Sequence, residues 1–294
     1  MHIPVMLAEC LEYLAINPAG VYLDATCGLG GHTGAIARKL TSGLVLACDR
    51  DSESLEMARA ATADCADRIH FHQSLFSELE GVLVAEKTPQ LDGLLADLGV
   101  SRYQLTEGGR GFSLKADGPL DMRMGRGITG DATESEDAAA IINFYSEKEL
   151  ANLIYELGEE RRSRQIARAI VRARPIHTTA QLAKLIEGAV PRTGKLHPAT
   201  QTFMALRIAV NREFEEIDAL LEALPRLVKP GGRVVVLTYH SLEDRKVKHG
   251  FQALAKEGRA TLLTRHVGKP TEQEVRDNPA SRSAKLRAVE MCGA

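Results

Sequence analysis

Three glycines, Gly28, Gly30 and Gly31, stand between two acids, Asp24 and Asp49, each of which closes a short apolar run. The first run and its loop read VYLDATCGLGGH over 21–32, a helical pattern follows at 33–40, and the second run, 44–48, leads to Asp49. Strand, glycine loop and helix in that order bring bare backbone up to a nucleotide-like ligand. A carboxylate after the second strand can accept from both hydroxyls of a ribose. A dinucleotide would set its pyrophosphate at the helix start, where free N–H groups favour anions, and an acid ending the first strand sits badly beside phosphates. That acid suits a ligand carrying a cationic amine and a sulfonium, which describes S-adenosylmethionine. Two other readings stand beside this one. A glycine-rich turn after a strand can be a tight turn and nothing more. In a nicotinamide-binding fingerprint the third glycine, counted from Gly28, would fall at Thr33.

A second group of residues points to a polyanion. Over 159–174 (EERRSRQIARAIVRAR) the arginines Arg161, Arg164, Arg168 and Arg172 recur three or four apart and share one helical face, with Arg162 and Arg174 nearby. Ile166, Ile170 and Val171 help to form the apolar side. Such a face is either solvated and neutralised by Glu156, Glu159 and Glu160, or it contacts phosphates, for which the planar guanidinium is well shaped. The net charge of -2 gives no global sign of nucleic acid.

The five cysteines, Cys10, Cys27, Cys48, Cys65 and Cys292, show no CxxC spacing, so neither a zinc site nor a disulfide framework follows. No run reaches the length of a membrane span and no leader pattern opens the chain, so a soluble cytoplasmic protein is expected.

The elements that must position these residues follow from periodicity. Strand-like runs occur at 21–24, 44–49, 69–73, 91–98 and 233–239, with helical patterns at 33–40, 52–63 and 75–86 between the early ones. This alternation predicts an α/β fold with an open, mostly parallel, doubly wound sheet. Phe76 follows the third strand, where its ring could lie on an adenine face or simply pack into the core. After Leu98 the alternation stops: 99–124 is loop-like, and 137–144, 147–157, 161–173, 179–189 and 198–224 read as helices. The residues 229–232 (KPGG) make a turn into the strand RVVVLTYH, and 260–264 with 285–290 read as an antiparallel pair completing the sheet. A helical insertion between the fourth and fifth strands is the simplest organisation, with 1–104 and 206–294 forming the sheet domain and 105–205 the insertion.

Four blocks go beyond pattern: DATCGLGGHT at 24–33, RGFSLKADGPLDMRM at 110–124, HPATQTFMALRIAVNREFEEI at 197–217, and YHSLEDRKVK with NPASRSAKLR at 239–248 and 278–287. With HIPVML at 2–7 they closely resemble the ribosomal RNA small-subunit methyltransferase H family over essentially the whole chain. The resemblance implies a Rossmann-like class I methyltransferase sheet interrupted by an all-helical substrate-recognition domain. It implies transfer of a methyl group from S-adenosylmethionine to N4 of one cytidine in the decoding region of 16S rRNA. The partner would be that RNA or the small ribosomal subunit, with a homodimer left open and no membrane involved.

Matched by position, the resemblance implies cofactor contacts at Gly30, Gly31, His32, Asp49, Phe76, Asp97 and Gln104. Where family members usually read GVSSPQLD, this chain has Arg102 and Tyr103 before Gln104, so the match is kept at Gln104 and broken just before it. Asp117, Asp121, Arg123, Asp244 and Arg245 are further polar residues of the matching blocks. His240 and Ser241, just after the fifth strand, are assigned to the cytidine pocket, with a helix cap formed by Ser241 and Asp244 as the alternative. Arg282, Lys285 and Arg287 join the helical arginines as candidate backbone grips. Cys27 follows Thr26 inside the glycine loop, the wrong element from which to attack a base, and reads as a small residue in a tight turn. No residue is assigned as the base-activating group. A small-molecule methyltransferase, a nicotinamide-dependent reductase and a non-catalytic RNA-binding module are the competing functions.

Overall fold

The computed structural model describes residues 3–99, 108–114, 116–125, 136–192, 194 and 196–293. The chain divides into two compact units, Met1–Gly99 with Phe214–Ala294, and Val100–Glu213.

In the first unit the described residues form a seven-stranded sheet in the order β3-β2-β1-β4-β5-β7-β6. Its strands are β1 (Val21–Asp24), β2 (Leu44–Asp49), β3 (Ile69–Gln73), β4 (Leu91–Asp97), β5 (Val228–Thr238), β6 (Ala260–Leu262) and β7 (Lys285–Met291). The first five are parallel, and β7 runs antiparallel to both β5 and β6. This is the open, mostly parallel α/β sheet that the periodicity predicts. Side chains alternate across it, as a period of two demands. Leu23, Leu46, Leu94, Val234 and Val236 enter one core, and Tyr22, Val45, Ala47, Leu95, Val235 and Leu237 enter the other.

Amphipathic helices cover both faces. Helices α1 (Leu7–Leu14), α2 (Gly31–Ala37) and α3 (Ser52–Ala61) bury Cys10, Leu14, Ile36, Ala37, Leu55 and Ala58 on one side. On the other, α4 (Leu79–Ala85) and the later helices Glu213–Leu227 and Ser241–Lys256 bury Leu79, Leu83, Leu220, Leu224, Val247 and Phe251. Each such leucine, isoleucine, valine or phenylalanine removed from water contributes roughly 1.5–3 kcal/mol, and the alanines and Cys10 less. The expected turn at 229–232 is an excursion within β5, since Leu91 pairs with Val228 and Gly93 already pairs with Arg233.

The second unit has a core of its own. Its helices among the described residues are α5 (Ala138–Phe144), α6 (Glu147–Gly158), α7 (Ser163–Ala173), α8 (Thr179–Ala189) and α9 (Thr200–Asn211); α10 (Glu213–Leu227, all but its first residue), α11 (Ser241–Lys256) and α12 (Glu272–Asp277) belong to the first unit. Ile142, Leu150, Ile154, Ile166, Ile170, Ile186, Phe203 and Leu206 meet there with Phe112, Leu120 and Met122 from the preceding segment. Two helix starts are fixed by reciprocal caps, Ser146 with Glu149 and Thr178 with Gln181. The single helix expected at 198–224 is two helices. The chain turns at Arg212, whose φ of 50° is left-handed, and α9 places Phe203, Leu206 and Val210 wholly in the second core.

Candidate active site

Parallel strands deliver their carboxyl ends to one edge of the sheet, the edge at which ligands bind in such folds. Here that edge carries Asp24, Asp49, Asp97 and, just past β5, Tyr239. The three acids have separate tasks. Asp24 is fully buried and accepts from Thr26 N–H at 3.1 Å and from the Thr33 hydroxyl at 2.6 Å. It therefore clamps its own loop rather than facing open space. Burial pushes its carboxyl up, opposed by His32 and the two threonines.

Asp49 reaches across to the glycine loop. Its Oδ2 accepts from Gly28 N–H at 2.8 Å, and its Oδ1 accepts from Asp51 N–H at 2.9 Å. Burial raises its carboxyl to about 6 against the pull of both N–H groups. The adjoining β3 loop is tied to the same residue, because Ser74 N–H donates to the Asp49 carbonyl at 3.0 Å. Two residues on, Phe76 packs partly against the sheet core, while Ser77 anchors to Glu216 through its N–H and its hydroxyl, both at 3.0 Å.

The glycines turn out to be bare for different reasons. A Cβ on Gly31 would stand 2.6 Å from Pro4 Cγ, and one on Gly30 would stand 3.1 Å from Ala58 and Thr62 side-chain carbons. Both are close approaches of protein to protein. At Gly28 a Cβ would meet only the Thr26 carbonyl at 3.8 Å, so Gly28 borders open space.

Asp97, like Asp49 and unlike Asp24, is partly open, its side chain 21% exposed. Its N–H donates to Thr26 Oγ1 at 2.6 Å, its Oδ1 accepts from the Tyr239 hydroxyl at 2.6 Å, and its Oδ2 lies 3.7 Å from His32 Nδ1. The other ring nitrogen of His32 is 3.0 Å from the Val5 carbonyl. A carbonyl only accepts, so Nε2 carries the hydrogen. Burial pushes the Asp97 carboxyl up, while His32 and Tyr239 favour its charged form.

The segment around Val5 is itself tied down. Met6 N–H donates to Glu274 Oε1 at 2.6 Å on α12, and Asn278 Nδ2 donates to the Ile3 carbonyl at 3.1 Å. The HIPVML and NPASRSAKLR blocks are thus contact partners. A family model for the MraW methylase family matches residues 1–292. The chain belongs to that family.

The MraW methylase match extends to curated relatives. Ribosomal RNA small subunit methyltransferase H of Solibacter usitatus is 59% identical over 291 residues, spanning 99% of this chain and 100% of the relative. The enzyme of the same name from Acidobacterium capsulatum is 48% identical over 301 residues, with 98% of each chain covered. A crystal structure of a candidate rRNA-methylase from Clostridium thermocellum superposes with a TM-score of 0.50 at 12% identity, covering 99% of this chain and 100% of that one. It supports the fold.

Within this MraW family member the other expected site residues are distributed unevenly. His240 is the cap of α11: its Nδ1 accepts from Glu243 N–H at 3.4 Å, and Glu243 Oε2 accepts from Tyr239 N–H at 2.9 Å. The cap therefore pairs His240 with Glu243 and not Ser241 with Asp244. The His240 ring also lies 6.2 Å from that of Phe214, tilted by 48°. Asp244 instead binds Arg287 at 2.7 Å and Lys285 at 3.4 Å, which takes those two cations out of the set of open phosphate grips. Arg282 is exposed and has no side-chain partner among the described residues. Gln104, with Arg102 and Tyr103, lies outside the described residues. Cys27 is buried, receives the Thr33 hydroxyl at 3.4 Å, and has its thiol pushed well up by burial, which suits a packed turn residue and not a nucleophile. Among the described residues no His/Cys/Asp/Glu group has the makings of a metal site, and no helix is long and apolar enough to cross a membrane.

In the helical unit the block at 110–124 is largely internal wiring. Arg110 donates to the Met124 carbonyl at 2.8 Å, Asn211 bridges Met122 and Met124, and Asp117 accepts from Ala180 N–H at 3.0 Å. Asp121 pairs with Arg123 at 2.6 Å. On α7 and the turn before it, Arg161, Arg164 and Arg172 are exposed without side-chain partners among the described residues. Arg168 pairs with Glu147 at 3.3 Å, and Arg174 is tied to the Ile142 and Tyr145 carbonyls.

Tyr239 and Glu243 were missed by sequence reasoning. The signal for Glu243 was present, since His240-Ser241-Leu242-Glu243 has the spacing of a capping box.

Proposed function

We propose that this protein methylates N4 of one cytidine in the decoding region of small-subunit 16S rRNA, in the cytoplasm, with S-adenosylmethionine as donor. The observation that carries the reading is the 59% identity, end to end, with a relative named Ribosomal RNA small subunit methyltransferase H. The site geometry is consistent with the donor. Each Asp49 oxygen uses one acceptor direction on the loop and retains another, enough for a ribose diol. The open side of Gly28 leaves room beside them for the ligand.

The donor, when bound, supplies a methyl group activated by its sulfonium. Asp49 would hold the ribose, Phe76 would lie against the adenine, and Asp97 would face the cationic amine, with Gly30, Gly31 and His32 forming the loop beneath. Gln104 is proposed as a further contact by resemblance. The rest of the chemistry is placement. The exocyclic amine of cytosine is a weak nucleophile, and fixing it in line with the methyl removes much of the barrier. Its N4 is engaged in a paired helix, so the target must be unpaired or flipped, with His240 and Ser241 proposed to line its pocket.

Residues 105–205 would grip the RNA. Arg161, Arg164 and Arg172, with Arg282 of the other unit, are open to phosphates because no carboxylate among the described residues neutralises their side chains. The test is incubation with labelled donor and small ribosomal subunits, followed by nucleoside analysis. N4-methylcytidine is the expected product. A methyl group on carbon 5, or transfer only to small metabolites, would sink the reading.

A further inference from the structure

Asp97 has two differently engaged oxygens, and one of their partners, Tyr239, has no part in the chemistry above. Oδ1 receives the Tyr239 hydroxyl at 2.6 Å, and Oδ2 faces His32 Nδ1 at 3.7 Å. Tyr239 directly follows β5, the strand next to β4, in which Leu237 pairs in register with Asp97. With the Asp97 N–H also fixed on Thr26, both the backbone and one oxygen of this acid are immobilised. An aspartate at a strand end otherwise has several staggered rotamers available. Asp24, the neighbouring acid, is fully enclosed, so Asp97 is the carboxylate of the two that a ligand can reach.

We propose that Tyr239 is a positioning residue for the methyl donor: its hydroxyl pins Oδ1 of Asp97 so that the carboxylate presents its remaining lone pairs to the donor's cationic amine. The inference rests on the donor reading above. The groups around Asp97 give it a pH signature. His32 from α2 and Tyr239 after β5 favour its charge, whereas Asp24 from β1, Glu243 from α11 and burial oppose it; Cys10 from α1 faces the same pair. Removing the hydroxyl tips Asp97 toward the neutral acid, so the variant loses donor binding at a higher pH on the acid side.

The experiment is calorimetric titration of the full chain with S-adenosylhomocysteine, which retains the amine, over a pH series from the ordinary carboxylate range, about pH 4, up to about pH 8. Tyr239→Phe is expected to weaken binding about tenfold at neutral pH and to move the acid limb up by about one pH unit. Asp97→Asn is expected to flatten that limb, and adding Tyr239→Phe to it should cost nothing further, because the hydroxyl acts through the carboxylate. An unmoved limb, additive losses in the double variant, or a fall in thermal stability alone overturns the proposal. If the unaltered protein binds no S-adenosylhomocysteine, the donor reading fails, and the inference falls with it.

Discussion

The carboxylate of Asp49 accepts the N–H of Gly28 at 2.8 Å, so the acid that ends the second strand holds the loop that follows the first. The same side chain is thereby a scaffold for the loop and, on the proposed function, a ligand to the donor's ribose.

That double duty sets a pH dependence. The folded Asp49 carboxyl is raised from 3.8 to about 6, above its unfolded value. Its contribution to stability is therefore fullest below the unfolded value and falls as pH climbs through about 6, by about 3 kcal/mol in all. The gap in unfolding free energy between the unaltered protein and Asp49→Asn, measured by denaturant titration, is expected to shift in that sense across this window. A gap independent of pH would contradict the burial argument.

Gly31→Ala and Gly28→Ala should separate packing from binding. The first drives a methyl group into Pro4 and is expected to cost about 1–3 kcal/mol of stability. The second places its methyl in open space, with a left-handed φ of 51° costing about 1–2 kcal/mol, and should weaken donor binding more than the first does. Thermal melts paired with donor titrations on both variants check the crossover.

The helical arginines should behave as two classes. Replacing Arg161, Arg164 or Arg172 with Gln is expected to leave stability within about 0.5 kcal/mol and to lower the salt slope of RNA binding by about one per charge. Arg174→Ala instead strands the Ile142 and Tyr145 carbonyls and should destabilise the unit by about 1–3 kcal/mol. Filter binding over a salt series distinguishes them.

Asp244→Ala is expected to lower stability by about 2–3 kcal/mol, because it leaves the largely buried Arg287 without its carboxylate. The double variant with Arg287→Met should recover part of the loss, and failure to recover any would show that the pair is not what holds the two segments together.

The strands were legible because buried parallel strands are continuous apolar runs, and each acid at the end of such a run had to emerge at one edge. The break at Arg212 was not, since Asn211-Arg212-Glu213 contains no glycine or proline. It is secured by contacts distant in sequence, Asn211 on Met122 and Met124. Helix α1 carries no strong boundary signal and was also overlooked. The reasons for Gly30 and Gly31 were hidden for a similar cause: local sequence gives the absence of a side chain, but only the fold reveals that Ala58 and Pro4 fill the space. Tyr239 met Asp97 only through the pairing of β4 with β5, across an insertion that no local pattern spans.

The tie between Met6 and Glu274 has a consequence for biogenesis. The glycine loop and the segment packed against it come early, yet that segment is fastened by a residue translated 268 positions after Met6. The loop therefore emerges from the ribosome well before the segment beside it can be fastened. Until Glu274 and Asn278 follow, the nascent chain carries that loop with its neighbour Pro4 untethered. The packing beside the loop is in this sense complete only once translation has passed Asn278.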